Sequence, residues 1–238
     1  MSTDQLFSKP LSAPSAFRFD EDVVKVFPDM IERSVPGYAT TLGTIRELAE
    51  RCLQDGDRAY DLGSSLGAAT LAMAAGAKGH DVELIGVDNS EAMLQECRHR
   101  LGDLPASTWQ LGDIREFKLK PCAMVVLNFT LQFVDPGYRG EILRRIYTAL
   151  RPGGLLVLSE KLHFADHRLN QAMIDLHHEF KRANGYSDLE IAQKRNALEN
   201  VLIPDTLQQH LERLQSAGFT SAEQWYQCFN FASILAVK

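Results

Sequence analysis

The 238-residue chain reads as an α/β protein with a Rossmann-like, mostly parallel sheet that ends in an antiparallel hairpin. Three observations carry that reading. From Arg58 onward, short apolar runs alternate with amphipathic stretches of helical period. Runs such as Met124-Val125-Val126-Leu127 are apolar at successive positions, as a sheet covered by helices on both faces requires. Tyr60-Asp61-Leu62-Gly63-Ser64-Ser65-Leu66-Gly67 reads as a buried strand entering a glycine-bearing turn, and a small-residue helix (Ala68, Ala69, Ala72, Ala74, Ala75) follows. In a parallel α/β sheet such a turn holds a nucleoside-bearing cofactor.

Residues 1–20 are rich in Ser, Pro and Asp with scattered Phe, and read as a tail pinned by Phe7, Phe17 and Phe19. Residues 22–33 form a helix with Val23, Val24, Phe27 and Ile31 on one face; Val35-Pro36-Gly37-Tyr38 breaks it, and a second helix covers 41–53. Residues 1–57 are thus expected to be a tail and helical cap, and 58–238 the ligand-binding α/β domain. Strands are expected at 59–62, 82–87, 107–111, 123–128 and 155–159. Between them, Ser90 is an N-cap for a helix burying Leu94, Cys97 and Leu101. A helix over 139–150 is closed by Arg151-Pro152-Gly153-Gly154. Residues 166–203 read as a helical insertion, with Leu169, Met173, Leu176 and Phe180 on one face. Asp205 is expected to cap a helix carrying Leu207, Leu211 and Leu214, which Gly218 ends. Runs at 219–228 and 231–237 complete seven strands as an edge hairpin.

A 45 % hydrophobic composition is enough for a sizeable core. With 25 Lys plus Arg against 31 Asp plus Glu, the net charge is −6. That argues against general nucleic-acid binding, which needs a basic face, and favours a small-molecule enzyme. Cys52, Cys97, Cys122 and Cys228 include no CxxC pair and read as reduced, buried thiols. There is no basic N-terminal region followed by an apolar run, and no apolar stretch long enough to cross a bilayer. The expectation is a cytoplasmic protein without membrane attachment.

Four strand ends carry the chemistry. Gly63 and Gly67 let backbone approach a ligand where a Cβ would collide. Asp61 would repel a pyrophosphate, so it points to a cationic or hydroxyl-bearing cofactor, S-adenosylmethionine rather than a dinucleotide. Asp88-Asn89 ends the second strand, where a carboxylate accepts hydrogen bonds from ribose hydroxyls. Asp113-Ile114 follows the third, an acceptor for an adenine amino group beside an apolar side chain for the ring. Asn128-Phe129 ends the fourth, where the reacting end of a ligand would lie. Each residue alone is equally at home in a turn or cap; four in register on one sheet edge point to a ligand. The dinucleotide pattern G-x-G-x-x-G misses two of its three glycines here, whereas D-x-G-x-G-x-G misses only at Ser65. Ser64 and Ser65 have no partner base for nucleophilic catalysis. His163, His167, His177, His178 and Cys228 match no zinc spacing, so no metal is expected.

On these motifs, with Leu150-Arg151-Pro152-Gly153-Gly154 before a strand and the final hairpin, residues 58–238 resemble the class I S-adenosylmethionine-dependent methyltransferases. A longer resemblance is to the carboxy-S-adenosyl-L-methionine synthase family. It is carried by Val26-Phe27-Pro28-Asp29-Met30-Ile31, Arg33-Ser34-Val35-Pro36-Gly37-Tyr38 and Val125-Val126-Leu127-Asn128-Phe129-Thr130-Leu131-Gln132-Phe133. Phe180-Lys181-Arg182-Ala183-Asn184-Gly185-Tyr186-Ser187, Gln193-Lys194-Arg195 and Gln227-Cys228-Phe229-Asn230-Phe231 extend it over nearly the whole chain.

That resemblance implies a reaction in which prephenate yields a carboxylate and leaves as phenylpyruvate, while the S-methyl of S-adenosylmethionine becomes S-carboxymethyl. The product would serve carboxymethylation of tRNA wobble uridine through a separate enzyme, so no direct nucleic-acid contact is expected. The resemblance also implies a homodimer. The cofactor-binding set it implies is Tyr38, Gly63, Ser64, Ser65, Asp88, Asn89, Asp113, Ile114, Asn128 and Arg195. Arg195 is the catalytic candidate, a guanidinium facing both oxygens of the new carboxylate. On its own, Lys194-Arg195-Asn196 reads as a solvated helix face. The competing readings are an ordinary small-molecule methyltransferase and a non-catalytic binder of S-adenosylmethionine. Asn128 is followed by Phe129-Thr130-Leu131, not by the N-P-P-Y continuation of amino-group methyltransferases.

Overall fold

The computed structural model describes residues 3–10, 17–199 and 201–238. Residues 1, 2 and 11–16 of the expected tail, and residue 200 of the expected insertion, lie outside them. The chain opens with helices α1 (Glu21–Ser34) and α2 (Tyr38–Cys52). It continues through β1 (Arg58–Leu62), α3 (Ala68–Gly76), β2 (Glu83–Asp88), α4 (Glu91–Leu101) and β3 (Ser107–Leu111). Then come β4 (Cys122–Asn128), a short 3-10 turn (Leu131–Phe133), α5 (Pro136–Ala149) and β5 (Leu150–Lys161). Helices α6 (His167–Ala183), α7 (Asp188–Leu198) and α8 (Leu207–Ala217) precede β6 (Ser221–Cys228) and β7 (Phe231–Val237).

Among the described residues seven strands form one sheet in the order β3-β2-β1-β4-β5-β7-β6. Strands β1 to β5 pair in parallel, and β7 runs antiparallel to both β5 and β6. The chain moves outward from β1 to β2 and β3, then returns to lay β4 on the other side of β1. That reversal opens a crevice beyond the carboxyl ends of β1 and β4, the natural ligand position in an open α/β sheet.

Strand periodicity divides the core in two. Tyr60, Leu62, Val125, Leu127, Leu156 and Leu158 face one side and pack with Ile142, Leu143 and Ile146 of α5 and Leu214 of α8. Ala59, Met124, Val126 and Val157 face the other, against Ile45 and Ala49 of α2 and Ala69 and Met73 of α3. Alternate residues of one strand therefore feed separate cores, which is why the strands are apolar throughout. A third cluster joins Val23, Val24, Val26 and Met30 of α1 to Met93 of α4, with Phe17 and Phe19 packed on it.

Several boundaries differ from the sequence expectation. Helix α2 starts at Tyr38, three residues early, because Gly37 takes a left-handed conformation and launches the helix directly. Helix α5 starts at Pro136, with the Asp135 side chain accepting from Gly137 N. The Arg151-Pro152-Gly153-Gly154 turn lies inside β5: Leu150 already pairs with Cys122, and the register shifts before Met124 meets Leu155. Asp205 is not a cap. Thr206 caps α8 in a reciprocal box with Gln209, while Asp205 is buried between Arg139 and Arg213, at 2.6 and 2.9 Å.

Helix α6 is rotated from its expected face. Leu169 and Leu176 are each 44 % exposed, and His177 and Lys181 are the buried residues. The inward face meets the crevice, where His177 and Lys181 stand beside Phe180 of the expected face.

Candidate functional site

A cavity of about 880 Å³ occupies the crevice. The turn after β1 forms its floor: Gly63 N and Ser64 N both donate to Val87 O of β2, at 2.7 and 3.0 Å. Gly63 has φ +80°, and a Cβ there would lie 2.3 Å from Thr130 Cγ2, so two loops close on one another only through glycine. Gly67 does not line the cavity; a Cβ there would strike Trp109, Leu101 and Cys97. It serves helix–sheet packing, not close approach of a ligand.

Ser65 stands where the glycine pattern is broken, yet it adopts a left-handed φ of 49°. Its N–H donates to Asp88 Oδ2 at 2.8 Å, and its hydroxyl lies 3.4 Å from Met93 Sδ. These contacts hold a conformation that a non-glycine residue otherwise avoids. Asp61 is buried, and its Oδ2 accepts from Thr70 N and Thr70 Oγ1 at 2.9 and 2.8 Å. Burial pushes its pKa up to about 6, against the two Thr70 hydrogen bonds.

At the end of β2, Asp88 Oδ1 accepts from Ser90 N at 2.8 Å while Oδ2 holds Ser65. Burial raises its pKa, and the Ser90, Ser65 and Asn89 backbone hydrogen bonds oppose the rise. Asn89, Asp113, Ile114, Asn128 and Tyr38 line the same cavity. The Asp113 carboxylate is gripped by Arg115 Nε, at 3.0 and 2.9 Å from its two oxygens, which lowers its pKa. A ligand amino group would share that carboxylate with Arg115. Burial raises the pKa of the Tyr38 phenol, and Asp61 adds to the shift.

Two buried polar atoms on the wall lack a protein partner: Ser64 Oγ and Asn128 Oδ1. A buried polar atom without a hydrogen bond is costly, so both fit a site completed by a polar ligand. The neighbouring strand-end carboxylates, the unobstructed turn and the cavity volume fit a nucleoside-bearing sulfonium.

One sequence candidate falls elsewhere. Arg195 is exposed on α7 and does not line the cavity of its own chain, while its neighbour Lys194 is buried and does. The sequence motifs assign no ligand role to Lys161, Lys181 and Phe231, and His177 is weighed only as a metal ligand; all four line the end of the cavity beside Phe129. Only the four-residue spacing of His177 and Lys181 hinted that they share a helix face. His177 donates through Nε2 to Ser34 O at 2.8 Å, and burial pushes its pKa far down. Among the described residues no group of three His, Cys, Asp or Glu side chains is placed to hold a metal ion. No helix of the described residues is long and apolar enough to cross a membrane.

Asp88→Ala is expected to weaken S-adenosylmethionine binding by about 1.5–3 kcal/mol, on the order of ten- to a hundredfold. Titration calorimetry measures it, and unchanged affinity would displace the ligand from this strand end.

The sheet order, the glycine turn and the strand-end carboxylates define the class I S-adenosylmethionine-dependent methyltransferase fold. A family described as a methyltransferase domain matches residues 59–154. Human N-acetylserotonin methyltransferase in complex with SAM superposes with a TM-score of 0.62 at 18 % identity, over 92 % of this chain and 55 % of that one. An O-methyltransferase family 2 protein of Planctomyces limnophilus, in complex with apigenin, gives 0.60 at 16 % identity, over 93 % and 62 %. A carboxy-S-adenosyl-L-methionine synthase of Yersinia pestis is 51 % identical over 99 % of this chain and 89 % of its own length. A carboxy-S-adenosyl-L-methionine synthase 2 of Yersinia pseudotuberculosis matches to the same extent, 51 % over 99 % and 89 %. The chain belongs to the carboxy-S-adenosyl-L-methionine synthase family.

Proposed function

We propose that the protein converts S-adenosyl-L-methionine and prephenate to carboxy-S-adenosyl-L-methionine, phenylpyruvate and water. The observation that carries this reading is the 51 % identity to the synthases across 99 % of the chain. The cavity supports it, with strand-end carboxylates at one end and lysines at the other. S-Adenosylmethionine is then a substrate, held by Tyr38, Gly63, Ser64, Ser65, Asp88, Asn89, Asp113, Ile114 and Asn128.

The chemistry needs little from the protein beyond placement. Aromatisation of prephenate breaks the bond to its ring carboxyl, releasing carbon dioxide, and expels the ring hydroxyl as hydroxide. The sulfonium acidifies its methyl group, and the hydroxide takes a methyl proton to become water. The resulting ylide carbon attacks carbon dioxide, so the S-methyl becomes S-carboxymethyl and all atoms balance. No His or Glu base is required, in keeping with a His177 that burial keeps neutral and that is committed to Ser34.

The product would supply carboxymethyl groups for 5-oxyacetyl uridine at the tRNA wobble position through a separate enzyme, in the cytoplasm and without tRNA contact here. We assign the active form as a homodimer, in which the exposed Arg195 serves the partner's cavity. Purified protein mixed with S-adenosylmethionine and prephenate should yield phenylpyruvate and a sulfonium one carbon dioxide heavier, read by mass spectrometry. Methyl transfer to an acceptor, with S-adenosylhomocysteine as product, would replace this reading with that of an ordinary methyltransferase.

A further inference from the structure

The cavity is polarised. Asp61, Asp88 and Asp113 line the end formed by β1 to β3. Lys161 at the end of β5, Lys181 of α6 and Lys194 of α7 line the other. Ring contacts fix the position of this second end. The Tyr38 ring lies 6.5 Å from Phe129, Phe129 lies 5.9 Å from Phe231, and Phe231 lies 4.8 Å from His177. Lys161 Nζ stands 5.9 Å from the Phe231 ring centre. The lysines therefore adjoin the β4 strand end, where the sulfonium methyl is expected.

The three lysines differ in their partners. Lys194 is provided for within the fold: its Nζ donates to Ser34 Oγ at 2.9 Å and lies 3.8 Å from Asp4 Oδ2. Lys181 is 93 % buried by its 7 % relative exposure, and the charges that act on it are those of Lys194 and Lys161, both cations. Among the described residues no carboxylate forms an ion pair with Lys161 or Lys181. Burial and the neighbouring ammoniums pull the pKa of Lys181 down to about 7, and burial lowers that of Lys161. An unpaired buried ammonium such as Lys181 is costly, and the half-buried Lys161 on the same wall adds to that cost. An anion entering the cavity would relieve both.

We propose that Lys161 and Lys181 bind the retained α-keto carboxylate of the anionic second substrate, with its ring against Phe129 and Phe231. The proposal rests on the functional reading above and names the residues that recognise the co-substrate. The choice of carboxylate follows from the chemistry. An ammonium on the departing ring carboxylate would stabilise its charge and oppose loss of carbon dioxide. On the side-chain carboxylate it anchors without opposing the reaction, and it holds substrate and phenylpyruvate alike.

Lys161→Gln and Lys181→Gln keep a donor of similar length and remove the charge. Each should raise the prephenate KM, and the dissociation constant of phenylpyruvate measured by calorimetry, by on the order of ten- to a hundredfold. The dissociation constant of S-adenosylmethionine alone should change less than about threefold; this also reports that the variants fold. Lys181→Arg, which keeps the charge, should retain most of the α-keto acid affinity. Three results would overturn the proposal: unchanged phenylpyruvate affinity in both Gln variants; equal loss of S-adenosylmethionine affinity, which would place the lysines on the methionine carboxylate; or a prephenate KM that rises while phenylpyruvate binding does not, which would place them on the departing carboxylate. The binding arm keeps the two readings separable. Wild-type protein that binds phenylpyruvate through these lysines but makes no carboxylated sulfonium refutes the proposed reaction and leaves the site standing.

Discussion

Asp205→Ala is expected to destabilise the fold by about 3–5 kcal/mol, because it strands a fully buried guanidinium. Arg139 has 0 % exposure and spends every nitrogen within the fold. Nη1 donates to Asp205 at 2.6 Å, Nε to Val134 O at 2.9 Å, and Nη2 to Gln132 O and Ile203 O at 3.3 and 2.9 Å. Glu160 takes the same loop from the other side, accepting from Leu131 N and Gln132 N at 2.9 Å each. Together they position the turn after β4, whose Phe129, Thr130 and Gln132 face the cavity. The loss is read as a fall in urea midpoint with unchanged slope. The pH dependence follows in sign. Burial acts to raise the Asp205 pKa, but Arg213 and Arg139 overcome it and hold the value below the ordinary carboxylate range. A depressed folded pKa contributes stability that is fully present above the unfolded value, about 3.9, and is lost as pH falls through the folded value. The wild-type protein should therefore lose this contribution below about pH 4, and Asp205→Ala should lack that step. A variant as stable as the wild type would show that the carbonyls of Val134, Gln132 and Ile203 suffice for Arg139.

Arg195→Ala is expected to cost the carboxylated sulfonium about 2–3 kcal/mol, roughly 30- to 160-fold, and plain S-adenosylmethionine much less. A guanidinium meets both oxygens of a carboxylate, and the methyl group offers no acceptor. Arg195→Lys should rescue in part, because an ammonium loses the bidentate geometry. Helix α7 buries Ile191, Lys194 and Ala197, and so turns Arg195 outward from its own chain. On the homodimer reading proposed above, Arg195 serves the ligand of the partner subunit, and subunit mixing tests it. Arg195→Ala and Asp88→Ala homodimers should both be weak. Their heterodimer should regain activity in one site, where an intact Asp88 pocket meets the other subunit's Arg195. Equal loss for both ligands would make Arg195 a general anchor, and a heterodimer without recovery would place it in cis.

Much of this molecule was legible in its sequence. The strands, the turn after β1, the Ser90 cap, the Gly218 helix end and the closing hairpin follow from hydrophobic period and turn chemistry, which act over a few residues. The cavity-lining residues Asp88, Asn89, Asp113, Ile114 and Asn128 were legible for the same reason, since a parallel sheet brings all its strand ends to one edge. What lay beyond reach depends on partners far apart in the chain. Asp205 reads as a cap until Arg139, 66 residues away, claims it. Lys194 and Ser34, separated by 160 residues, form a buried hydrogen bond that provides for Lys194 and leaves Lys161 and Lys181 without an ion-pair partner among the described residues. Ser65 reads as a defect in a glycine pattern until Asp88 of the next strand fixes its φ. The rotation of α6 was set by the crevice it covers, not by its own leucines. Local pattern therefore determined the elements and one wall of the site. Burial, which depends on what the rest of the chain places nearby, decided which charges are paired, which face the ligand and which point away.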